Sequence, residues 1–330
     1  MRGAHRHKLI KANGIDLHLV EQGEGPLVVL CHGYPGLRYS WRHQLPALAA
    51  AGYRAVALDM RGYGRSSRPR DSDQYSFEKT SGDFLAVLDH FGEERAVVIG
   101  HDFGAQLAWH LAVHHSEQLR GVGSLCVPYD MALAGGSDIR PTELFASIAD
   151  NHFFHMHYYQ QPDVPESHTL GREREFLTRL FWALCADGEL LDWENFPMQG
   201  TRYIDVLAEP PRALPWSWLS CEDMDYYVAE YLHAGPELAF IGGINSYRVM
   251  DRNWELFRDS AHAPVEIPTL FVGGQEDPVV KLGSPEEFDN MRRLVPDLRV
   301  DELLPGAGHF IQQEAPAALN RLLVKFLDSL

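Results

Sequence analysis

The chain of 330 residues predicts an α/β protein, a mostly parallel sheet with helices on both faces and a helical segment inserted into it. Three observations predict this. Short apolar, β-rich runs alternate with helical patterns through the first half, which calls for a parallel sheet covered on both sides. After the run that ends at Val127, about 140 residues pass before the next convincing central strand, far more than one crossover needs. The stretch between is rich in aromatic residues and helical patterns and poor in strand signals, so it reads as a lid over the sheet.

Taken in order, residues 15–21 (IDLHLVE) and 26–31 (PLVVLC) flank the turn signal Gln22-Gly23-Glu24-Gly25 and are expected to pair antiparallel. The runs 54–58 (RAVAL), 96–99 (AVVI) and 122–127 (VGSLCV) follow, with a helix over 77–90 opened by Ser76 as its N-cap. Inside the insertion, 173–186 and 236–258 carry helical patterns. The core then resumes with a strand at 269–272, a helix at 285–294, a strand near 299–304 and a closing amphipathic helix at 316–327. The expected division is a core in two parts, 1–128 and 261–330, with a helical lid at 129–260.

Composition narrows the partners. A formal net charge of -17 repels nucleic acid and anionic membranes at long range, leaving a small, neutral substrate. Residues 1–11 are basic and His-rich but no apolar signal core follows them, and no run of eighteen apolar residues occurs, so cytoplasmic residence without a membrane partner is expected. Cys31, Cys126, Cys185 and Cys221 form no C-x-x-C pair, which points away from a zinc site or a disulfide scaffold. Cys31 and Cys126 look like buried strand residues. Neither a cofactor nor a metal is implied, and a homodimer is the assembly the reading allows.

The chemistry gathers at strand ends. Gly100-His101-Asp102-Phe103-Gly104 follows a strand and opens a helical pattern, the context of a nucleophile elbow, with small residues letting the turn close and its apex side chain standing above the sheet. A helix N-terminus favours an ionised Asp102, which makes it available as a nucleophile. On these five residues alone Asp102 is equally a helix N-cap. The order nucleophile, acid, histidine decides, because Asp277 follows the 269–272 strand and His309 follows the turn Gly306-Ala307-Gly308, each at the carboxyl end of a strand. Alone, His309 among 17 histidines would more often be structural. After the strand at 26–31, the backbone N–H groups of Tyr34 and Phe103 are placed to converge on one oxygen as an oxyanion hole, and Pro35 in that turn is a candidate for a cis peptide bond.

From about Lys8 onward the chain resembles the epoxide hydrolases of the α/β-hydrolase fold, through HGYPG (His32 to Gly36), DMRGYGRSS (Asp59 to Ser67), GHDFG (Gly100 to Gly104), GGQEDPVV (Gly273 to Val280) and GAGHF (Gly306 to Phe310). The resemblance implies two lid tyrosines that hydrogen-bond the epoxide oxygen. Tyr247, in Asn245-Ser246-Tyr247-Arg248, matches one of them. At the other, the alignment of Tyr158-Tyr159-Gln160-Gln161-Pro162 puts His155 where the family has tyrosine. Imidazole also donates an N–H, and as imidazolium it would be the stronger acid, so His155 is expected in that role, with Tyr158 or Tyr159 as its substitute. His152, His155 and His157 do not read as a metal cluster, since no acidic or thiol partner is spaced to join them.

A carboxylate nucleophile fits this reaction because attack on an epoxide carbon leaves an ester that can be hydrolysed, whereas serine would leave an ether. The implied scheme has Asp102 attack a ring carbon while Tyr247 and His155 hold the oxygen. His309, oriented by Asp277, then activates water against the ester, and a diol leaves. The alternatives are haloalkane and haloacetate dehalogenases of the same fold and a non-catalytic ligand-binding relative. Haloalkane dehalogenases tend to have an asparagine and a tryptophan where this chain has Tyr34 and Phe103. Haloacetate enzymes need arginines where it has Phe103 and Gln106, and the complete Asp102, Asp277 and His309 set speaks against a sensor.

Overall fold

The computed structural model describes residues 5–129, 138–189 and 193–330. Eight strands form one sheet: β1 (Arg6–Ala12), β2 (Ile15–Gln22), β3 (Leu27–Cys31), β4 (Arg54–Leu58), β5 (Ala96–His101), β6 (Leu119–Leu125), β7 (Thr269–Gly274) and β8 (Leu298–Leu304). Their order is β1-β2-β4-β3-β5-β6-β7-β8. The β1–β2 and β2–β4 pairs are antiparallel and the others parallel.

Helices labelled below are α1 (Gln44–Ala50), α2 (Phe77–Phe91), α3 (Phe103–His114), α4 (Glu173–Leu184), α5 (Cys221–Tyr231), α6 (Ile241–Arg248), α7 (Met250–Phe257), α8 (Pro285–Leu294) and α9 (Pro316–Leu327). Two apolar layers sandwich the sheet. Val28, Leu30, Val97 and Ile99 pack toward α1 and α9, while Leu27, Val29, Cys31 and Val98 face the layer shared with α2, α3 and the inserted helices. This alternation explains why β3, β5 and β7, buried on both faces, read as continuous apolar runs.

The first expectation to fail is the pairing of residues 15–21 with 26–31. β2 pairs instead with β4 and with β1, a strand that the basic N-terminal reading passed over. Only Ile10 and Ala12 of β1 are buried, so it has no apolar run to detect. It is held as an edge by its ladder to β2 and by Arg6 and Lys8, which bind Glu21 at 2.6 and 2.7 Å. The signal present was Asn13-Gly14, both at positive φ, the two-residue hairpin turn.

Other boundaries moved less. β6 ends at Leu125, so Cys126 is buried just beyond the strand, at a φ of 67°. The 236–258 pattern splits into α6 and α7, with a short turn over Pro236–Leu238 before them. Ser76 is the N-cap of α2 by position but makes no side-chain cap bond. Asn253 from α7 takes the Phe77 N–H instead, at 2.8 Å. Between β6 and β7 the described residues form helices and turns only. The expected-lid residues 130–137 and 190–192 lie outside the described residues.

Buried ion pairs brace this frame. Arg61, in the loop after β4, makes a two-pronged pair with Asp83 of α2 and donates to the Gln74 carbonyl at 2.7 Å, with both charged side chains nearly inaccessible. Arg38, Arg65 and Glu230 link the same region to α5. Removing one partner of a buried pair strands the other charge. Asp83→Ala is therefore expected to lower the unfolding free energy by about 3–5 kcal/mol in urea titration; a loss under about 1 kcal/mol would show that water reaches Arg61.

Candidate active site

β5 ends at His101 and α3 begins at Phe103, so Asp102 alone makes the turn between them. Its φ of 55° is a strained conformation for a residue with a side chain. The turn closes because its neighbours lack one: a Cβ on Gly100 would lie 1.9 Å from the Gly104 carbonyl oxygen, and one on Gly104 would lie 2.2 Å from that of Cys31.

The Tyr34 N–H donates to Asp102 Oδ1 at 2.8 Å, and the Phe103 N–H also bonds this carboxylate. The turn after β3 that supplies Tyr34 is pinned by His32, whose Nδ1–H donates to the Gly33 carbonyl at 2.8 Å while Nε2 accepts the Met60 N–H at 3.1 Å. Burial keeps that imidazole neutral, with a pKa down at about 4. The Tyr34–Pro35 peptide bond in the same turn is cis.

Asp102 Oδ2 is 3.8 Å from His309 Nε2, too far for a hydrogen bond. On its other side His309 Nδ1–H donates to the Asp277 carboxylate at 3.1–3.2 Å, and Asp277 also accepts the Val279 N–H at 2.8 Å. The loops after β7 and β8 touch to make this contact, since a Cβ on Gly274 would lie 2.2 Å from the Gly308 carbonyl oxygen. Asp102, Asp277 and His309 are thus brought together from three strand ends.

Burial raises the Asp102 pKa, and the nearby Asp277 charge adds to this, while His309 and the two N–H groups pull it down. The net shift is upward, against the sequence expectation that a helix terminus would dominate. The carboxylate still keeps 18% exposure to the cavity, which softens the effect of burial. For His309, burial opposes the positive charge, but the Asp277 carboxylate, by its charge and its hydrogen bond, outweighs it, and its pKa rises well above the usual imidazole value.

Asp102 and His309 open into a cavity of about 580 Å³, roofed by Phe154, His155, Trp193, Tyr203 and Tyr247 from the inserted helices. Burial, and next to it the Asp102 charge, push the Tyr247 pKa well above the ordinary phenol value, so it stays a hydrogen-bond donor. His155 stacks between Trp193 and Tyr203, with ring centroids at 5.2 and 5.6 Å, and meets Tyr247 edge-on at 5.5 Å. The helices bearing them are tied together by Gln160 Nε2, which donates to the Tyr247 carbonyl at 2.9 Å, and by Arg248, which donates to the Tyr159 and Gln161 carbonyls at 2.9 and 2.7 Å.

The comparisons agree with this architecture. The family described as alpha/beta hydrolase fold matches residues 26–163. Epoxide hydrolase A of Mycobacterium tuberculosis is 38% identical over 99% of both chains. This chain belongs to the epoxide hydrolases of the α/β-hydrolase fold. The crystal structure of epoxide hydrolase A from Mycobacterium thermoresistibile superposes with a TM-score of 0.87 at 39% identity, covering 98% of each chain. Potato (Solanum tuberosum) epoxide hydrolase I does so at 0.86 and 32%, covering 99% of this chain and 100% of that one.

The structure departs from two of the expectations for the residues over Asp102. Burial lowers the His155 pKa to about 3, so the imidazolium considered from sequence is not its state near neutrality. His155 Nδ1 is buried without a partner, and an orphan acceptor costs less than an orphan donor, which favours the tautomer with its proton on Nε2. The substitutes fare worse: the Tyr158 hydroxyl is bonded to His168 Nδ1 at 2.9 Å, Tyr159 stacks on Tyr247 at 4.8 Å, and neither lines the cavity.

Tyr203 escaped the sequence reading altogether. It sits on a single turn, Tyr203–Val206, with no periodic pattern to mark it. Among the aromatic residues of the inserted segment, Phe154 lines the cavity, whereas Phe153, Trp182 and Trp216 do not and are buried in the core, with Trp218 half-buried against it. Among the described residues, His101, Cys126 and His309 form the grouping close enough to bind a metal, with ligand atoms within 4.8 Å of one another. His309 Nδ1 serves Asp277, His101 Nε2 donates to the His309 carbonyl at 2.7 Å, and burial pushes the Cys126 thiol up to about 12, so the set offers little to a cation. No described helix is long and apolar enough to cross a membrane.

His309 can accept a proton only when neutral. Because its pKa is raised, a step using it as base is fully present above that pKa and lost as pH falls through it. The acid limb of kcat is expected above the ordinary value of 6.5, and a pH–rate profile with its limb at or below that value would contradict the Asp277 pairing as drawn.

Proposed function

We propose that this chain adds water to an uncharged, apolar epoxide and releases a vicinal diol through an alkyl ester of Asp102. The observation that carries the reading is the split environment of one carboxylate. The Tyr34 N–H binds Oδ1 and the Phe103 N–H also bonds the carboxylate, while Oδ2 lies on the His309 side and Asp102 opens into a cavity whose roof bears Tyr247. Residues 129–260 are read as the cap of the two-part core, supported by the helices that bring Tyr247 and His155 over Asp102.

In the first step Asp102 attacks a ring carbon, the carbon–oxygen bond breaks, and the oxygen takes a proton from the Tyr247 hydroxyl while the Nε2–H of His155 hydrogen-bonds it. In the second, His309 removes a proton from water as that water attacks the Asp102 carbonyl carbon. The Tyr34 and Phe103 N–H groups, already bonded to this carboxylate, stabilise the oxyanion. Collapse expels the diol oxygen, which takes the proton from His309. The proton released when Asp102 ionises again restores the lid donor.

Dehalogenation is less well supported, because Phe103 and Gln106 beside the nucleophile present no positive charge and the Tyr247 hydroxyl has no evident use there. His309→Gln should let the ester form and persist, and Asp102→Ala should abolish turnover. With styrene oxide, mass spectrometry is expected to find the Asp102 peptide of His309→Gln carrying the adduct; an unmodified peptide under conditions where substrate binds would sink the scheme.

The cavity also speaks to substrate charge. Among the described residues no lysine or arginine lines it, whereas Glu287 does. The arginines over Trp254 are paired, Arg140 with Asp251 and Glu255, and Arg258 with Asp259. With a net charge of -17 behind it, the entrance should repel carboxylates. An epoxide ester is expected to exceed the matching free carboxylate in kcat/KM by on the order of tenfold. Glu287→Gln should narrow that gap, and equal values for the two substrates would remove the charge argument. The free cysteines, three of them buried, support a reducing compartment such as the cytoplasm.

A further inference from the structure

Glu314 has no part in the scheme above, yet its carboxylate is the best-connected one beside the site. It lies at the end of the short helix Ile311–Glu314 that follows His309. Oε2 accepts the Ala186 N–H at 2.8 Å and the Gly308 N–H at 3.0 Å, and Oε1 accepts the Phe310 N–H at 2.9 Å. Gly308 and Phe310 flank His309. Ala186 belongs to the inserted segment, just past α4, whose Leu180 and Leu184 line the cavity.

The remaining backbone groups of the histidine are committed as well. The His309 N–H donates to the Leu184 carbonyl at 3.0 Å, and its own carbonyl accepts from His101. The two segments touch so closely that a Cβ on Gly308 would lie 2.3 Å from the Ala186 nitrogen. Three consecutive N–H groups, 308 to 310, are therefore held by one carboxylate and one lid carbonyl. Without Glu314, the Gly308 and Phe310 N–H groups would be left without their partner, at a cost that favours shifting the loop.

We infer that Glu314 is a positioning residue that joins the lid segment at Ala186 to the loop carrying His309 and thereby sets the imidazole for its attack-phase role. Its negative charge, close enough to interact with His309, also favours the imidazolium that forms when water is deprotonated. Ring opening needs Asp102 and the lid donors, so the effect of Glu314 falls on ester hydrolysis alone. The inference rests on the Asp102 ester reading.

The test is Glu314→Gln, which keeps the shape and removes the charge and one acceptor, studied with styrene oxide by single-turnover and steady-state kinetics. The expected result is ester formation within about twofold of the parent chain and hydrolysis slowed by roughly tenfold to a hundredfold, the scale set by a small misplacement of a catalytic group. kcat and KM then fall together while kcat/KM holds, because kcat/KM reports the ester-forming step. Both steps slowed alike, or neither changed, would overturn the inference. If Glu314→Gln does not fold, Glu314→Asp, which keeps the charge on a shorter arm, is read by the same ratio and against the same two outcomes. A parent chain that turns styrene oxide over without any Asp102 ester would overturn the ester reading itself, and the inference with it.

Discussion

A carboxylate can stand above the sheet at a φ of 55° here only because three backbones close around it where side chains are missing. Gly100 admits the Gly104 carbonyl, Gly104 admits that of Cys31, and Gly33 admits Asp102 itself, whose Oδ1 would lie 2.1 Å from an added Cβ. That last contact places the Tyr34 N–H on the carboxylate. The strained turn is therefore also what brings the Tyr34 and Phe103 N–H groups onto the carboxylate, and both depend on β3 and β5 lying side by side in the sheet.

The second half of the site is built by a different means. His309 and Asp277 sit in loops that follow β8 and β7, adjacent strands separated in sequence from β5 by the whole insertion. Their mutual placement comes from the contact of Gly274 with the Gly308 loop and from the hydrogen bonds that pin the His309 backbone. The lid enters through Leu184 and Ala186 on one side and through Tyr247 and His155 on the other. It is thus bonded to the His309 loop as well as roofed over Asp102.

Electrostatics divides the labour between the acidic groups. Asp277, fully buried, pays for its place by raising the basicity of His309, while Asp102 retains contact with the cavity and can meet a substrate. The neutral state of His155 follows from its stacking between Trp193 and Tyr203, a setting in which charge is disfavoured but an N–H can still be donated.

The amino-acid sequence by itself determined the sheet's central strands and the three strand ends that carry Asp102, Asp277 and His309. Runs buried on both faces and tight glycine turns are local features, and they survive in one dimension. It did not disclose β1, whose outward side chains leave no apolar pattern, nor the pairing of β2 with β4 in place of β3. It named His155 but not its protonation state, and it missed Tyr203. Both depend on which rings the folded lid stacks together, as does the link from Glu314 to Ala186 across 128 residues. Contacts between distant segments and the burial they create exist only after the chain has closed, and those decided how the site is held.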